Sequence, residues 1–528
     1  MDEFNDNEKE LLKGHFSNID KQVFIITTPS QIDRVALLSR YSRSSKSMRR
    51  IFLEEFLNNP ERGEKFYNKV LVEYGDDSVA ELGLIQLAIE DISNIAVKSI
   101  EDRRIGLSYL EKSTRYVRFD QKINNRWKYY IDNTLSKYNI YKEAADLAFE
   151  TYSRLIDPMI NYLKEIKPID DLLFKENNIE MPFHKLKEEE AIKSAINIYN
   201  TSIRAETLDI LRVLLPASTL TNLGIAGNIR AFEYLLSILY ASELEEERNI
   251  AEMIYNELYN LFPSFVRRVK SEYGKELELY IKNRRNECIR IASKYVTNYS
   301  NNDTKVRLID YDKDADIKVV ASILYQYSSE SLNNLIKLVR ELSNEEREEI
   351  IHSYLKHRKN RRHRVGRAFE LPYYTFELLT NYGIFRDLHR HRILTMERQL
   401  LTTKLGYEMP EEFIAINAEK DFKECMSLSN DAYNIIAKDN PYYAQYIVLF
   451  AYKYRYFIKM NLREAYHLIE LRTSKQGHRD YRNVAQDIYR EIYKVNKTLL
   501  DNIFVDLNDY RLARFDSEKR KEDKLRQI

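Results

Sequence analysis

Two apolar runs, QVFIITTP at residues 22–29 and KVRLIDYD at residues 305–312, open segments that read alike. Each predicts a short strand, then a polar turn, then a helix that ends on Tyr-Ser. Val23 aligns with Val306 at an offset of 283, and Tyr41 with Tyr327 at 286. Further on, SVAELGLIQLAIEDIS can be laid on GRAFELPYYTFELLTN, which matches Glu81 to Glu370 at an offset of 289. Chance likeness between amphipathic helices carries no fixed spacing, so the near-constant offset points to a tandem duplication. Two related domains are therefore expected, residues 1–300 and 301–513, joined at the polar SNNDT near residue 300 and followed by a charged tail, 514–528. The first is longer because residues 125–205, mostly helical in pattern, have no evident counterpart in the second.

Only 12 glycines and 10 prolines punctuate 528 residues, and long helical periodicities such as VAQDIYREIYKVNKTLLDNIF dominate. The expected class is α+β and helix-rich, each domain a small, mostly antiparallel sheet with long helices. Lys plus Arg (83) balance Asp plus Glu (82), so no general nucleic-acid binder is expected despite the basic octamer HRKNRRHR at 357–364. Cys288 and Cys425 stand alone, which excludes a disulfide framework and a cysteine-based zinc site. No metal site is expected from the histidines either. The polar start, MDEFNDNEKELLKGHF, is unlike a targeting peptide, and no apolar run approaches membrane-spanning length. A cytoplasmic protein with no membrane partner is expected.

Two stretches carry candidate chemistry. In RRIGLSYLEKSTRYVRF, residues 103–119, Glu111, Ser113 and Arg115 alternate, so an extended chain would aim all three one way. A carboxylate, a hydroxyl and a guanidinium together can grip a polar ligand, or simply face water. In FRDLHRHRILTMERQ, residues 385–399, Arg390 and Arg392 flank His391, and an anion such as phosphate would relieve their repulsion. An exposed basic turn is the plain alternative. No phosphate-cradling glycine loop and no cysteine or serine nucleophile motif is present.

Taken in order, YGDDSVAEL, LEKSTRY, RVLLP and GNIRAF in the first half, and Arg390-His391-Arg392, Asn461 and IELRT in the second, resemble the flavin-dependent thymidylate synthases (ThyX). The chain looks like two such units fused. The resemblance implies FAD as cofactor, NADPH and 5,10-methylenetetrahydrofolate as co-substrates, and dUMP or a related pyrimidine nucleotide as substrate. It implies that Glu111, Ser113, Arg115, Arg212 and Arg472 meet the nucleotide, with Ser113, Arg115 and Arg472 nearest the reaction. Ser78, Asn228, Arg390, His391, Arg392 and Asn461 would lie on the cofactor side.

Each half departs from the family pattern. Asp76 and Leu82 replace histidines, the first Arg-His-Arg has become DRRIG around Arg103 and Arg104, and Leu239 replaces the late arginine. In the second half Leu400, Thr402, Gln445 and Asp387 replace Ser, Arg, Arg and Gln. The losses are complementary. They imply one composite site, with the loop from the first half and the basic triplet from the second, in a homodimer that imitates the family's homotetramer. A homologue that binds flavin or nucleotide without turnover, or a related flavin-dependent pyrimidine methyltransferase, are the alternatives.

Overall fold

The computed structural model describes residues 4–59, 61–67, 77–177, 179–296 and 304–525. Asp76, the SNNDT join except Thr304, and the last three residues of the tail lie outside them. The fold is α+β and rich in helix, with small antiparallel sheets. Among the described residues no helix is long and apolar enough to cross a membrane. The chain forms two compact units. One comprises Met1–Ile92, Ala96–Lys112 and Thr221–Ser300; the other comprises Ser93–Ile95, Ser113–Leu220 and Asn301–Ile528.

In the first unit three strands are ordered Leu84–Ser93, Leu220–Asn228, Leu107–Glu111. Alternation puts Ile85, Ile89, Leu107, Leu223 and Ile225 on one face. There they join a core with Phe232 and Leu236 of helix Ile229–Tyr240 and Ile250 and Ile254 of helix Glu245–Leu261. A smaller cluster around Phe16, Leu37 and Phe52 gathers the N-terminal helices. The strand expected at 22–29 does not form. Its backbone bonds locally, Ser17 N–H to the Ile25 carbonyl (2.9 Å) and Thr27 N–H to the His15 carbonyl (2.7 Å), leaving one isolated bridge at Ile26. Val23 and Ile25 are consequently exposed, because an apolar run without a sheet edge has nothing to pair with.

The second unit holds a four-stranded antiparallel sheet ordered Val306–Tyr311, Tyr373–Asn381, Lys453–Asn461, Leu394–Arg398. Tyr454, Tyr456, Ile458 and Met460 alternate into the core, as do Tyr374, Phe376 and Leu378 on the neighbouring strand. Helices Leu462–Arg472 and Arg479–Val495 pack on this sheet.

The order of elements recurs along the chain. Strand, helix, strand, long helix, 3-10 turn, strand, helix runs from Leu84 to Tyr240 and again from Tyr373 to Arg472. Between residues 139 and 211 the first pass has helices Asn139–Arg154, Ile156–Ile166 and Glu189–Leu211 and a hairpin of Leu173–Glu176 with Ile179–Pro182. The second pass has the single long helix Glu419–Asp439 at that place in the order.

Within the second unit, matching segments of the two passes pair with each other. Ala217 N–H donates to the Val448 carbonyl and Phe450 N–H to the Leu215 carbonyl, both at 2.9 Å. Ser218 N–H to Tyr446 and Ala451 N–H to Val213 form a second such couple, also at 2.9 Å. Each couple is reciprocal at an offset of 233 residues (450 against 217, 448 against 215), with the Pro216–Leu449 bridge at the centre. The seam joins RVLLP to its counterpart and begins, on either side, at Arg212 and Gln445.

Candidate functional site

Four arginines far apart in sequence, Arg115, Arg212, Arg390 and Arg472, come together around two carboxylates, all inside the second unit. Helix Glu189–Leu211 runs directly into the 3-10 turn Arg212–Leu214, so Asp209 and Arg212 lie within one turn of each other. Strand Leu107–Glu111 ends where the expected alternation should continue, and residues 114–116 turn instead. Ser113 makes that turn: its hydroxyl accepts from Arg115 N–H (3.2 Å), and its carbonyl accepts from Tyr116 and Val117. Glu111, Ser113 and Arg115 thus do not share a strand face. Arg115 is redirected onto Asp209, which it grips with Nε at 2.8 Å from each oxygen and a terminal nitrogen at 2.6 Å.

Arg212 is fully buried and donates to Asp387 at 3.0 Å. Asp387 lies in the last turn of helix Tyr382–Leu388, the element just before the basic triplet. Burial alone would push its carboxyl up. The guanidiniums of Arg212, Arg390, Arg472 and Arg115 outweigh that and hold it well below the usual carboxylate range. Arg115 and Arg212 are in turn held charged: burial opposes the charge, and Asp209 and Asp387 more than offset it. Arg472 is shifted down by burial, with Arg390 adding repulsion. It packs beside the Tyr481 ring at 5.3 Å. Gly477 permits that packing, since a Cβ there would come within 2.8 Å of Tyr481 and 2.9 Å of Arg482.

His391 is buried, whereas Arg390 and Arg392 on either side are exposed, as is Ile393. Arg472 Nε–H donates to His391 Nε2 at 3.0 Å, and an arginine can only donate. The ring proton must then be on Nδ1, which faces Glu464 Oε1 at 2.7 Å. Burial keeps this imidazole neutral, its pKa pushed down to about 4. His391, Glu464 and His467 bring three potential ligand atoms within 4.8 Å of one another. The Arg472 hydrogen bond argues against a cation there, because it leaves Nδ1 protonated and without a lone pair to offer.

The other residues singled out from the sequence lie elsewhere. Asn461 caps helix Leu462–Arg472, its side chain accepting from Glu464 N–H at 2.9 Å. Asn228, in the first unit, caps helix Ile229–Tyr240 in the same way through Ala231 N–H at 2.9 Å. Also in the first unit, Glu111 is buried against the Lys98 ammonium (2.8 Å), and Ser78 is exposed on the short helix Asp77–Ala80. Gln445, which stands where a second Arg212 would be, instead ties down the degenerate loop, its Oε1 accepting from the buried Leu401 N–H at 3.0 Å. Cys425 is buried and its thiol is pushed up to about 11 by burial, which suits a core residue and not a nucleophile.

A cavity of about 300 Å³ adjoins the arginine cluster, lined among others by Arg115, Glu206, Asp209, His478, Arg511 and Arg514. Asp209, Glu206 and Arg514 carry no motif in the sequence. Only the spacing of Asp209 three residues before Arg212 on one helix hinted that it belongs with the arginines.

Comparison with known proteins shows the family of the chain. The family model described as thymidylate synthase complementing protein matches residues 24–264 and 307–496. A UPF0159 protein of Chlamydia pneumoniae is 36% identical over 550 residues, covering 99% of this chain and 98% of its own. The UPF0159 protein Ta1429 of Thermoplasma acidophilum is 37% identical over 503 residues, covering 93% and 98%. Among solved structures, a UMP/dUMP methylase PolB from Streptomyces cacaoi, bound with 5-Br dUMP, aligns over 37% of this chain and 93% of its own. The identity is 16% and the TM-score 0.30.

Proposed function

Since this chain belongs to the thymidylate synthase complementing protein family, we propose that it reductively methylates dUMP to dTMP. The carbon would come from 5,10-methylenetetrahydrofolate and the reducing equivalents from NADPH through FAD. The observation that carries this reading is that one carboxylate, Asp387, is paired with Arg212 and lies within the electrostatic reach of Arg390, Arg472 and Arg115. Arg115 and Arg212 come from the first repeat, 1–300, and Arg390 and Arg472 from the second, 301–513, as the complementary losses require.

In this reading Arg115, Arg212 and Arg472 hold the nucleotide, with Ser113 beside the pyrimidine. Guanidiniums fixed in a buried site polarise the uracil carbonyls without having to reorganise. Asp209 and Asp387 keep Arg115 and Arg212 aligned before the ligand arrives. His391, neutral and in one tautomer, orients Arg472 through Nε2. Exposed Arg390 and Arg392 beside exposed Ile393 suit a group that is both anionic and apolar, and they would hold the FAD. When bound, FAD supplies the hydride that converts the transferred carbon to a methyl group.

The test is direct. Purified protein should carry or take up FAD, with the yellow flavin spectrum, and should oxidise NADPH faster when dUMP is added. A colourless protein indifferent to dUMP overturns the proposal. Flavin and dUMP binding with no NADPH oxidation would identify a homologue that binds without turnover.

A further inference from the structure

The segment Tyr510–Arg514 forms one wall of the 300 Å³ cavity and brings in two arginines that no motif marks. It is firmly latched. Arg511 pairs with Glu412 and Glu411, and Leu512 N–H donates to the Glu206 carboxylate. Beyond it, the Phe515 ring meets Phe174 edge-on at 5.3 Å. Leu512 is held at φ +49°, a left-handed conformation that bulky side chains avoid and that persists only where the surroundings enforce it.

Arg514 contrasts with its neighbours. Arg115 has Asp209, Arg212 has Asp387 and Arg511 has Glu412. The Arg514 side chain has no hydrogen bond and no carboxylate at ion-pair distance among the described residues, and its Nε is buried without a partner. What it does have is the face of Tyr116 at 4.4 Å, next to Arg115, and only a weaker attraction to Glu518. Burial and the neighbouring Arg115 charge push its pKa down to about 10. Of the carboxylates lining the cavity, Asp209 is taken by Arg115, Glu411 and Glu412 by Arg511, Glu206 by Leu512 N–H and Glu408 by Lys305, so the half-buried Arg514 guanidinium beside Arg115 is left to an anion from outside.

We infer that Arg514 is a binding residue of this site, its guanidinium and that of Arg115 receiving the phosphate of the pyrimidine nucleotide. The inference rests on the function proposed above for the identity of the ligand, and on the cavity for the anion. Tyr116 would hold Arg514 by cation–π contact until the phosphate arrives.

Equilibrium dialysis of the full chain with dUMP and with deoxyuridine tests it. Arg514→Ala should weaken dUMP by about 10- to 100-fold, the scale of a lost charge-assisted hydrogen bond, and leave deoxyuridine unchanged. Arg514→Lys should restore part of the difference, since it keeps the charge but not the fork. Equal loss of both ligands, or dUMP binding as tight as in the unaltered chain, overturns the inference while leaving the pyrimidine reading intact. If the unaltered chain ignores dUMP but takes inorganic pyrophosphate in an Arg514-dependent way, the pyrimidine reading falls and the anion site stands.

Discussion

His391 is the residue whose chemistry the fold settles most completely. Between Arg472, which can only donate, and Glu464, which accepts, it has one tautomer and no room for a second proton. Its pKa in the fold is pushed down to about 4 by burial, against 6.5 for a free imidazole. The unfolded chain therefore takes up a proton below about pH 6.5 that the folded chain refuses until about pH 4. Stability from this group is fully present above the unfolded value and is lost as pH falls through that window, by an amount on the order of 3 kcal/mol. Urea unfolding of the unaltered chain at pH 7 and pH 5 should show the loss, and His391→Gln should show less of it. An unchanged pH dependence in the variant would place the loss on other groups.

At the scale of elements, three strands among the described residues end on an asparagine that caps the helix behind it: Asn228, Asn381 and Asn461. Capping satisfies an amide that the first helical turn leaves without a partner, typically for about 1 kcal/mol. Asn461→Ala should therefore lower the denaturant midpoint by about that amount, and Asn461→Ser should recover most of it, since Ser caps nearly as well. Equal loss in both variants would mean that the amide group is needed for something besides the cap. The strand at 306 was legible because apolar alternation continues in it for a full element, whereas the stretches at 84–93 and 373–381 have the look of amphipathic helix and form strands. QVFIITTP has the same composition but no partner edge, which no local pattern could reveal. The hairpin at 173–182 was hidden for another reason: two four-residue strands lie between long helical periodicities. The turn at Ser113 was equally hidden, because a serine that ends a strand and a serine within one look alike until the strand's partner stops.

For the whole molecule, Arg115, Arg212, Arg390 and Arg472, from either half of the sequence, belong to one compact unit of one chain. Mixing Arg115→Ala with Arg390→Ala chains should consequently give no rescue of dUMP-stimulated NADPH oxidation. Recovered activity in the mixture would show that the functioning site is shared between chains. The expectation of a composite site came from the sorting of residues in the sequence, Leu400, Thr402 and Gln445 against Arg115 and Arg212. The counter-ions were not readable: Asp209 pairs with a residue 94 positions away and Asp387 with one 175 away, choices made by packing. Arg514 stands, for the same reason, in what the sequence offers only as a charged tail.

The reciprocal seam around Pro216 and Leu449 has a consequence for how such a protein answers to dilution. In an assembly of separate subunits, the contact between matching segments is an equilibrium, and thinning the solution dissolves it. Here both sides are tethered by the same polypeptide, so the local concentration of one for the other stays high at any protein level. Ligand capacity should then follow the number of chains and not the degree of association. The tether also ends the interchangeability of subunits: a residue needed at only one of two matching positions is free to drift at the other.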